Sequence, residues 1–366
     1  MLKTWLLVLP FYFLSLSPLH AQPEVSLLKP GTNAEGQVYY LPKTAIRFHV
    51  QVEKTTYIPG EYARYAERYL KLTDIQQEKQ VTYQLINYEM RTIGIRDTSK
   101  CYLLQMKGKA ETSSVVLSND GILLAVNSSP VLQPTDPPFA THHSLTHRSF
   151  THHSPILSAE VMAAGSSAKK AELIARELLE LREQRQLLVT GEVDEMPQDE
   201  RQLRLMLNEI DEKDRQLMAL FTGTTTRDTS ETVITYCPDK EVERQVIFRL
   251  SRRLGIVDSD DLAGVPYYIN VKSSDPQPSD SLEATTSKDD KKRYSKKYKG
   301  FFVNVPTKAE VSLYQDDRFL GSLETPFAQF GTLELRDGQL FKRYITHMQL
   351  DPATGAVVTF DVENYE

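Results

Sequence analysis

Residues 171–189 read AELIARELLELREQRQLLV, residues 190–199 TGEVDEMPQD, and residues 200–221 ERQLRLMLNEIDEKDRQLMALF. In the first run Ile174, Leu178, Leu181 and Leu188 recur at the spacing of one helix face. Leu203, Leu207, Ile210, Leu217 and Phe221 repeat that spacing in the second. Gly191 suits the end of the first helix, and Asp199 with Gln202 makes a capping-box pattern at the start of the second. A connection this short allows only antiparallel neighbours. The periods therefore predict an antiparallel two-helix hairpin within residues 158–222. Arg185 and Asp214 interrupt its seam and are expected to lean out to solvent on their stems. Leu173, Leu179, Leu187, Leu205, Met206, Met218 and Leu220 lie off the seam and widen the apolar face. Part of this set is expected to rest on a β domain, and whatever stays exposed is a candidate docking surface.

Outward from the hairpin, on both sides, the pattern is that of strands. Ile46, Phe48, Val50 and Val52 alternate with Arg47, His49 and Gln51, which puts His49 among the solvent-facing polar residues of a half-buried strand. Strand patterns continue at 81–97, 101–108, 114–117 and 122–126, with Asn119-Asp120-Gly121 as a hairpin turn. These make an N-terminal β domain over residues 36–128. Past the helices, Thr222 to Thr229 reads as a threonine-rich turn, followed by strands at 231–236, 243–250, 267–271, 301–305, 309–314 and 331–335. A terminal hairpin around Thr354-Gly355 completes a C-terminal β domain, residues 223–366. The fold class expected is α+β: two antiparallel β-rich domains with an antiparallel two-helix hairpin inserted between them.

Gly36, Leu41, Pro42 and Ala45 match Gly300, Val305, Pro306 and Ala309 in spacing, and Gly121 and Gly355 each close a hairpin, a faint sign of internal duplication. After Pro59-Gly60, residues Tyr62, Tyr65, Ala66, Tyr69 and Leu70 recur at helical spacing. Such a tyrosine stripe can stack on sugar rings, but a short helix packed on a sheet is the commoner use of it.

Two stretches change character. Residues 129–157 form a proline- and histidine-rich linker in which His142, His143, His147, His152 and His153 invite a metal reading. No carboxylate or cysteine lies among them, and a flexible linker is the favoured reading. Residues 273–299 form a low-complexity tract expected to be disordered, with Asp280-Ser281-Leu282 resembling a three-residue O-glycosylation acceptor. The acidic cluster Asp258 to Asp261 before Gly264 lacks the glutamate a calcium loop requires and reads as a turn. The sequence leaves open whether its two cysteines, Cys101 and Cys237, pair or pack as buried thiols.

Lys3 precedes the apolar run TWLLVLPFYFLSL, and Ser17 to Ala21 resembles a cleavage region, so residues 1–21 are expected to be a signal peptide. The run is shorter than the roughly 20 residues that span a bilayer, and no transmembrane segment is expected in the mature chain. A net charge of −6 argues against nucleic acid as a partner.

HExxH, GxxxxGK[ST], GxSxG and CxxC are all missing from the sequence, and no catalytic, cofactor-binding or metal-ligating residue is assigned. The stretches VYYLPKTAIRFHVQVEKTTYIPGEYARYAERYLKL (38–72), REQRQLLVTGEVDEMPQDERQLRLMLNEIDEKDRQLMALFTG (182–223), GVPYYINV (264–271) and PFAQFGTLELRDG (326–338) resemble the bacterial domain-of-unknown-function family numbered 4831. The linker and the 273–299 tract stand outside the resemblance as local expansions. The resemblance implies an exported protein of Gram-negative bacteria and brings no catalytic residues with it. Function is therefore expected to be that of an exported, periplasmic or outer-membrane-associated protein, non-catalytic, which binds or assembles with an envelope protein or glycan. The alternative is a periplasmic enzyme, metal-assisted through the histidines, with its site between the β domains.

Overall fold

A computed structural model describes residues 22–29, 35–107, 114–131, 157–192, 199–274 and 297–364. In chain order its strands begin with β1 (Gln22–Leu27), β2 (Gln37–Ile58), β3 (Gln80–Lys107), β4 (Val115–Leu117) and β5 (Leu123–Val126). A 3-10 turn at Ala63–Tyr65 and α1 (Ala66–Leu70) sit between β2 and β3. Three helices follow β5: α2 (Ala159–Ala163), α3 (Ser167–Thr190) and α4 (Glu200–Thr222). Then come β6 (Thr224–Tyr236), β7 (Val242–Ser251), β8 (Gly255–Val257), β9 (Val265–Ser273), β10 (Lys297–Gln315), β11 (Arg318–Asp337), α5 (Gly338–Arg343), β12 (Ile345–Leu350) and β13 (Val357–Glu363). The molecule is mixed α and β with two antiparallel sheets, as the alternation implied.

The strands are shared out differently from the sequence expectation. A nine-stranded sheet runs β6-β2-β3-β1-β10-β9-β7-β8, with β11 on the other side of β10, and a four-stranded sheet runs β13-β12-β5-β4. Strands of residues 36–128 and of 223–366 thus interleave in both sheets, and neither span closes a sheet alone. Alternation reports which face of a strand is buried but not which strand it pairs with. The polar lead-in is itself a strand: β1 pairs β3 on one side and β10 on the other, and Val25 is fully buried. Thr224 to Thr229, expected as a turn, pairs with β2 from Ile58 to Glu53. Threonine is β-branched and favours the extended chain.

Three apolar cores result. The first lies between the small sheet and the Tyr39, Tyr102 and Phe301–Val303 region of the large one. The second gathers Phe48 and Val50 of β2 with Phe248, Tyr267 and Ile269 from the far end of the strand order and Phe327 of β11, so the large sheet curls around it. Tyr83 N of β3 donates to Arg252 O beside β8 at 2.8 Å, where the curl meets itself. The third core is helical and contains no strand residue.

The faint duplication is plain in three dimensions. Gly36, just before β2, and Gly300, the fourth residue of β10, have φ of 142° and 134°, backbone open to glycine. Each long strand pairs with the next through the same irregularity. Leu41 alone stands against residues 97–100 of β3, and Pro306 alone stands against residues 328–331 of β11. Four residues past each glycine, Tyr40 N donates to Gly121 O at 2.9 Å and Asn304 N donates to Gly355 O at 3.2 Å. Both acceptors are turn glycines of the short hairpins β4-β5 and β12-β13. A long bulged hairpin clasped by a short one thus occurs twice in the chain, as β2-β3 with β4-β5 and as β10-β11 with β12-β13. The copies differ at the tip of the long hairpin: β10 turns into β11 across Asp316 and Asp317, whereas β2 reaches β3 through residues 59–79, which carry α1.

Candidate functional site

That difference locates the helical part of the molecule, which the repeated unit does not include. Residues 59–79 join α2, α3 and α4 in a helical module at the end of the β2-β6 ladder. α4 runs directly into β6 through Gly223, and Ile58 pairs with Thr224 on the neighbouring strand. Gly60 lies against the last turn of α4, where a Cβ would come within 2.2 Å of Leu220 O. Next to it, Tyr62 N donates to the same carbonyl at 2.8 Å, and Tyr57 Oη donates to Thr222 O at 3.0 Å.

The helices form where the periods predicted. Asp199 caps α4 by accepting from Gln202 N at 2.7 Å, and Gly191 ends α3 at φ 78°. Ser166 caps α3 a turn earlier than the sequence suggested. Ile174, Leu178, Leu181, Leu188, Leu217 and Phe221 are buried, while Leu203, Leu207 and Ile210 are half-buried. The expected support from a β domain is replaced: this core is completed by Tyr62, Ala66 and Val161, from the 59–79 segment and α2. Arg185 and Asp214 do not simply face water. Arg185 bonds Asp211 through Nε at 2.6 Å, and Arg182 bonds Asp214 through Nε at 2.8 Å, two antiparallel rungs between α3 and α4. The Arg185 guanidinium holds the Asp211 carboxyl below its ordinary range, and Asp211 raises Arg185 in turn.

Apolar side chains remain uncovered on this module. Leu173 is buried, and Met218 and Leu220 pack on the helical core, but Leu179, Leu205 and Met206 are 57%, 61% and 40% exposed. Val189, Leu205 and Met206 belong to the turns of α3 and α4 nearest their connection. Between α2, α3 and α4 lies a cleft of about 340 Å³, lined by Glu160, Arg176, Glu180 and Gln184, with Glu177 held by Lys213 at 2.7 Å. Its charges are mixed and open to solvent, and Leu179, Val189, Leu205 and Met206 are not part of its lining.

The other sequence candidates fall elsewhere. Tyr62 is buried and packs on Phe221, with ring centroids 6.0 Å apart, so the tyrosine stripe is helical core rather than a stacking platform. Burial pushes its phenol up to about 12, with a bond to Glu61 adding to the effect. His49 is not solvent-facing: at 7% exposure it lies between β3 and β6, its Nδ1 3.0 Å from Glu231 Oε1. A central strand buries its polar face under its neighbours' side chains. Cys101 and Cys237 are free thiols, and burial raises both above the usual thiol range, so neither is an activated nucleophile. Asp258 to Asp261 is a turn, with Asp261 N bonded to Asp258 O. The five linker histidines and the Asp280-Ser281-Leu282 triplet lie outside the described residues. Among the described residues, no group of three His, Cys, Asp or Glu side chains is placed to hold a metal ion.

Of the four regions that carried the family likeness, 38–72 lies in β2 and the segment with α1, the described part of 182–223 in α3 and α4, 264–271 at β9 and 326–338 at the end of β11. A family model described as a domain of unknown function, DUF4831, matches residues 35–358. The chain belongs to that family. The match runs from the start of β2 into β13 and takes in both repeats and the helical module, so the module lies within the family domain. Nothing among the curated proteins or the solved structures matches the chain. No described helix is long and apolar enough to cross a membrane.

One buried polar group of the family domain lies outside every motif and stripe of the sequence. Asn304 is buried, its Nδ2 donating to Pro42 O at 3.0 Å and Thr354 O at 2.8 Å while its Oδ1 accepts from Lys100 Nζ at 3.1 Å. Thr44 Oγ1 donates to Ala353 O and accepts from Ala328 N, both at 3.1 Å, and Gln329 Nε2 donates to Thr44 O at 2.8 Å. This joint locks the two bulges to each other and is closed to ligands. Only the repeat spacing, followed as far as the residue two before Pro306, points to it.

Proposed function

We propose that the chain is an exported, non-catalytic binding or assembly protein of the bacterial cell envelope, and that its helical module is the part that meets the partner. The observation that carries this reading is the exposed apolar set Leu179, Leu205 and Met206 on helices that the repeated β unit does not need. Export is supported by Lys3, the apolar run after it and the small residue Ala21. The partner class that fits exposed leucine and methionine side chains is another protein rather than a glycan, because no exposed aromatic platform accompanies them on the described part of the helical module.

Fractionation of the native host tests export: the chain should be recovered from the envelope, shortened at Ala21, and recovery of the unshortened chain from the cytosol would refute it. Crosslinked envelope carrying the wild-type chain, compared with Leu205→Ser/Met206→Ser, tests docking. A specific protein adduct that the double substitution removes supports the reading. An adduct pattern unchanged by it, with the helices intact by circular dichroism, assigns the contact to another surface and overturns the role of the module.

A further inference from the structure

β6 is an edge strand: over its 13 residues it pairs, among the described strands, with β2 alone, in one register without a shift. An open edge offers its N–H and C=O groups to any extended chain, and proteins blunt such edges with brevity, bulges, proline or charged side chains, lysine above all. The other edges here show those devices. β4 and β8 are 3 residues long. β11 is bulged against β10 and holds Pro326, and β13 carries Asp361 and Glu363, which repel a second copy. β6 has no proline, no lysine and no bulge, and residues 225–231 are exposed on both faces of the strand.

We propose that two copies of this chain join edge to edge through β6, antiparallel about Thr229. On that axis Arg227 of each copy stands opposite Glu231 of the other, twice, as a two-fold contact requires. Opposite charges directly across an antiparallel pair attract, and residues two apart share a face. The same axis sets Thr225 opposite Val233, which is 51% exposed in the single chain. Centring on Asp228 would instead set two aspartates face to face. The result is a sheet continuous across both copies. This contact is separate from the exposed residues of α3 and α4, so it goes beyond the docking role proposed for them and either can fail alone.

Light scattering and sedimentation of the full chain over a concentration series test it. The expected mass is that of two chains, falling to one on dilution. Arg227→Glu, at an exposed position, should weaken association at least tenfold, and Arg227→Glu/Glu231→Arg should restore it. Because Glu231 also holds His49, circular dichroism must show the double variant folded. Independently, Thr229→Cys should give a covalent dimer under a mild copper oxidant and Thr225→Cys should not, since only residue 229 faces its own copy. A single-chain mass at every concentration overturns the proposal. So does a dimer indifferent to Arg227→Glu, or equal crosslinking at 225 and 229.

Discussion

The polar joint of the β body and the ion-pair rungs of the helical module use polar groups in opposite ways. In the body, Asn304 and Thr44 are buried and fully bonded, and through them two long hairpins are fixed at their bulges. In the module, Arg182-Asp214 and Arg185-Asp211 stay at the surface, and the interior holds only apolar side chains and one tyrosine. Buried networks punish any rearrangement, because each broken bond strands a desolvated group. Surface pairs contribute little and tolerate exchange. The body is therefore built to hold one geometry, and the module to stay together while its outer face remains free.

The strongest way to break this contrast is Phe221→Ala. Removing a fully buried ring from the third core should cost about 3–5 kcal/mol. The helical signal at 222 nm should melt first, leaving the sheets to a later transition. A single transition for both would show that the module and the body are one cooperative unit. Next in size, Thr44→Val keeps the shape of the side chain but strands Ala328 N, and should lower stability by about 1–3 kcal/mol in the sheet transition alone. Equal loss in the helical transition would mean that the joint also supports the module. Gly60→Ala, which places a methyl 2.2 Å from Leu220 O, should cost about 1–3 kcal/mol. It should speed amide exchange in the last turns of α4 more than in β10.

The smallest expected effect is electrostatic. Asp211 titrates below its ordinary range, so its pairing stabilises the fold fully above the unfolded carboxylate value, near 3.9, and is lost as pH falls through the lower folded value. Between pH 7 and pH 3 the helical transition should therefore move down, and molar salt at pH 7 should reproduce part of the shift. The sheet transition, whose joint is built largely on amides and hydroxyls, gives the internal control.

Local pattern carried the helices well. Their stripes, the Asp199 cap and the Gly191 stop were all readable, because every partner in them lies within one or two turns. The Asn119-Asp120-Gly121 turn was readable for the same reason. Pairing was not readable: nothing in the composition of β2 says that β6 rather than another strand lies beside it, and so His49 was placed in water when two neighbouring strands cover it. Arg185 and Asp214 look solvent-facing on their own helices, because the spacing along one helix carries no information about the other, whereas their partners Asp211 and Arg182 sit across the seam. The exposed apolar set was half visible, since the sequence marked all seven off-seam residues but could not say that α1 and α2 would cover some and leave Leu179, Leu205 and Met206 bare.

The place of β1 sets an order of events in time. The strand is made long before its second partner: Glu24, Val25 and Ser26 pair on one side with Gln105, Leu104 and Leu103 and on the other with Lys299, Tyr298 and Lys297. During synthesis β1 can settle against β3 once residues 102–107 are made but waits for residues 297–299 before its second ladder can form. Until then the middle of the large sheet has an open seam, and contacts this distant in sequence close slowly. A chain threaded end-first through a narrow pore would emerge with that seam unsealed, which makes the interval before residue 299 appears the period of greatest exposure to proteases and to unwanted strand pairing.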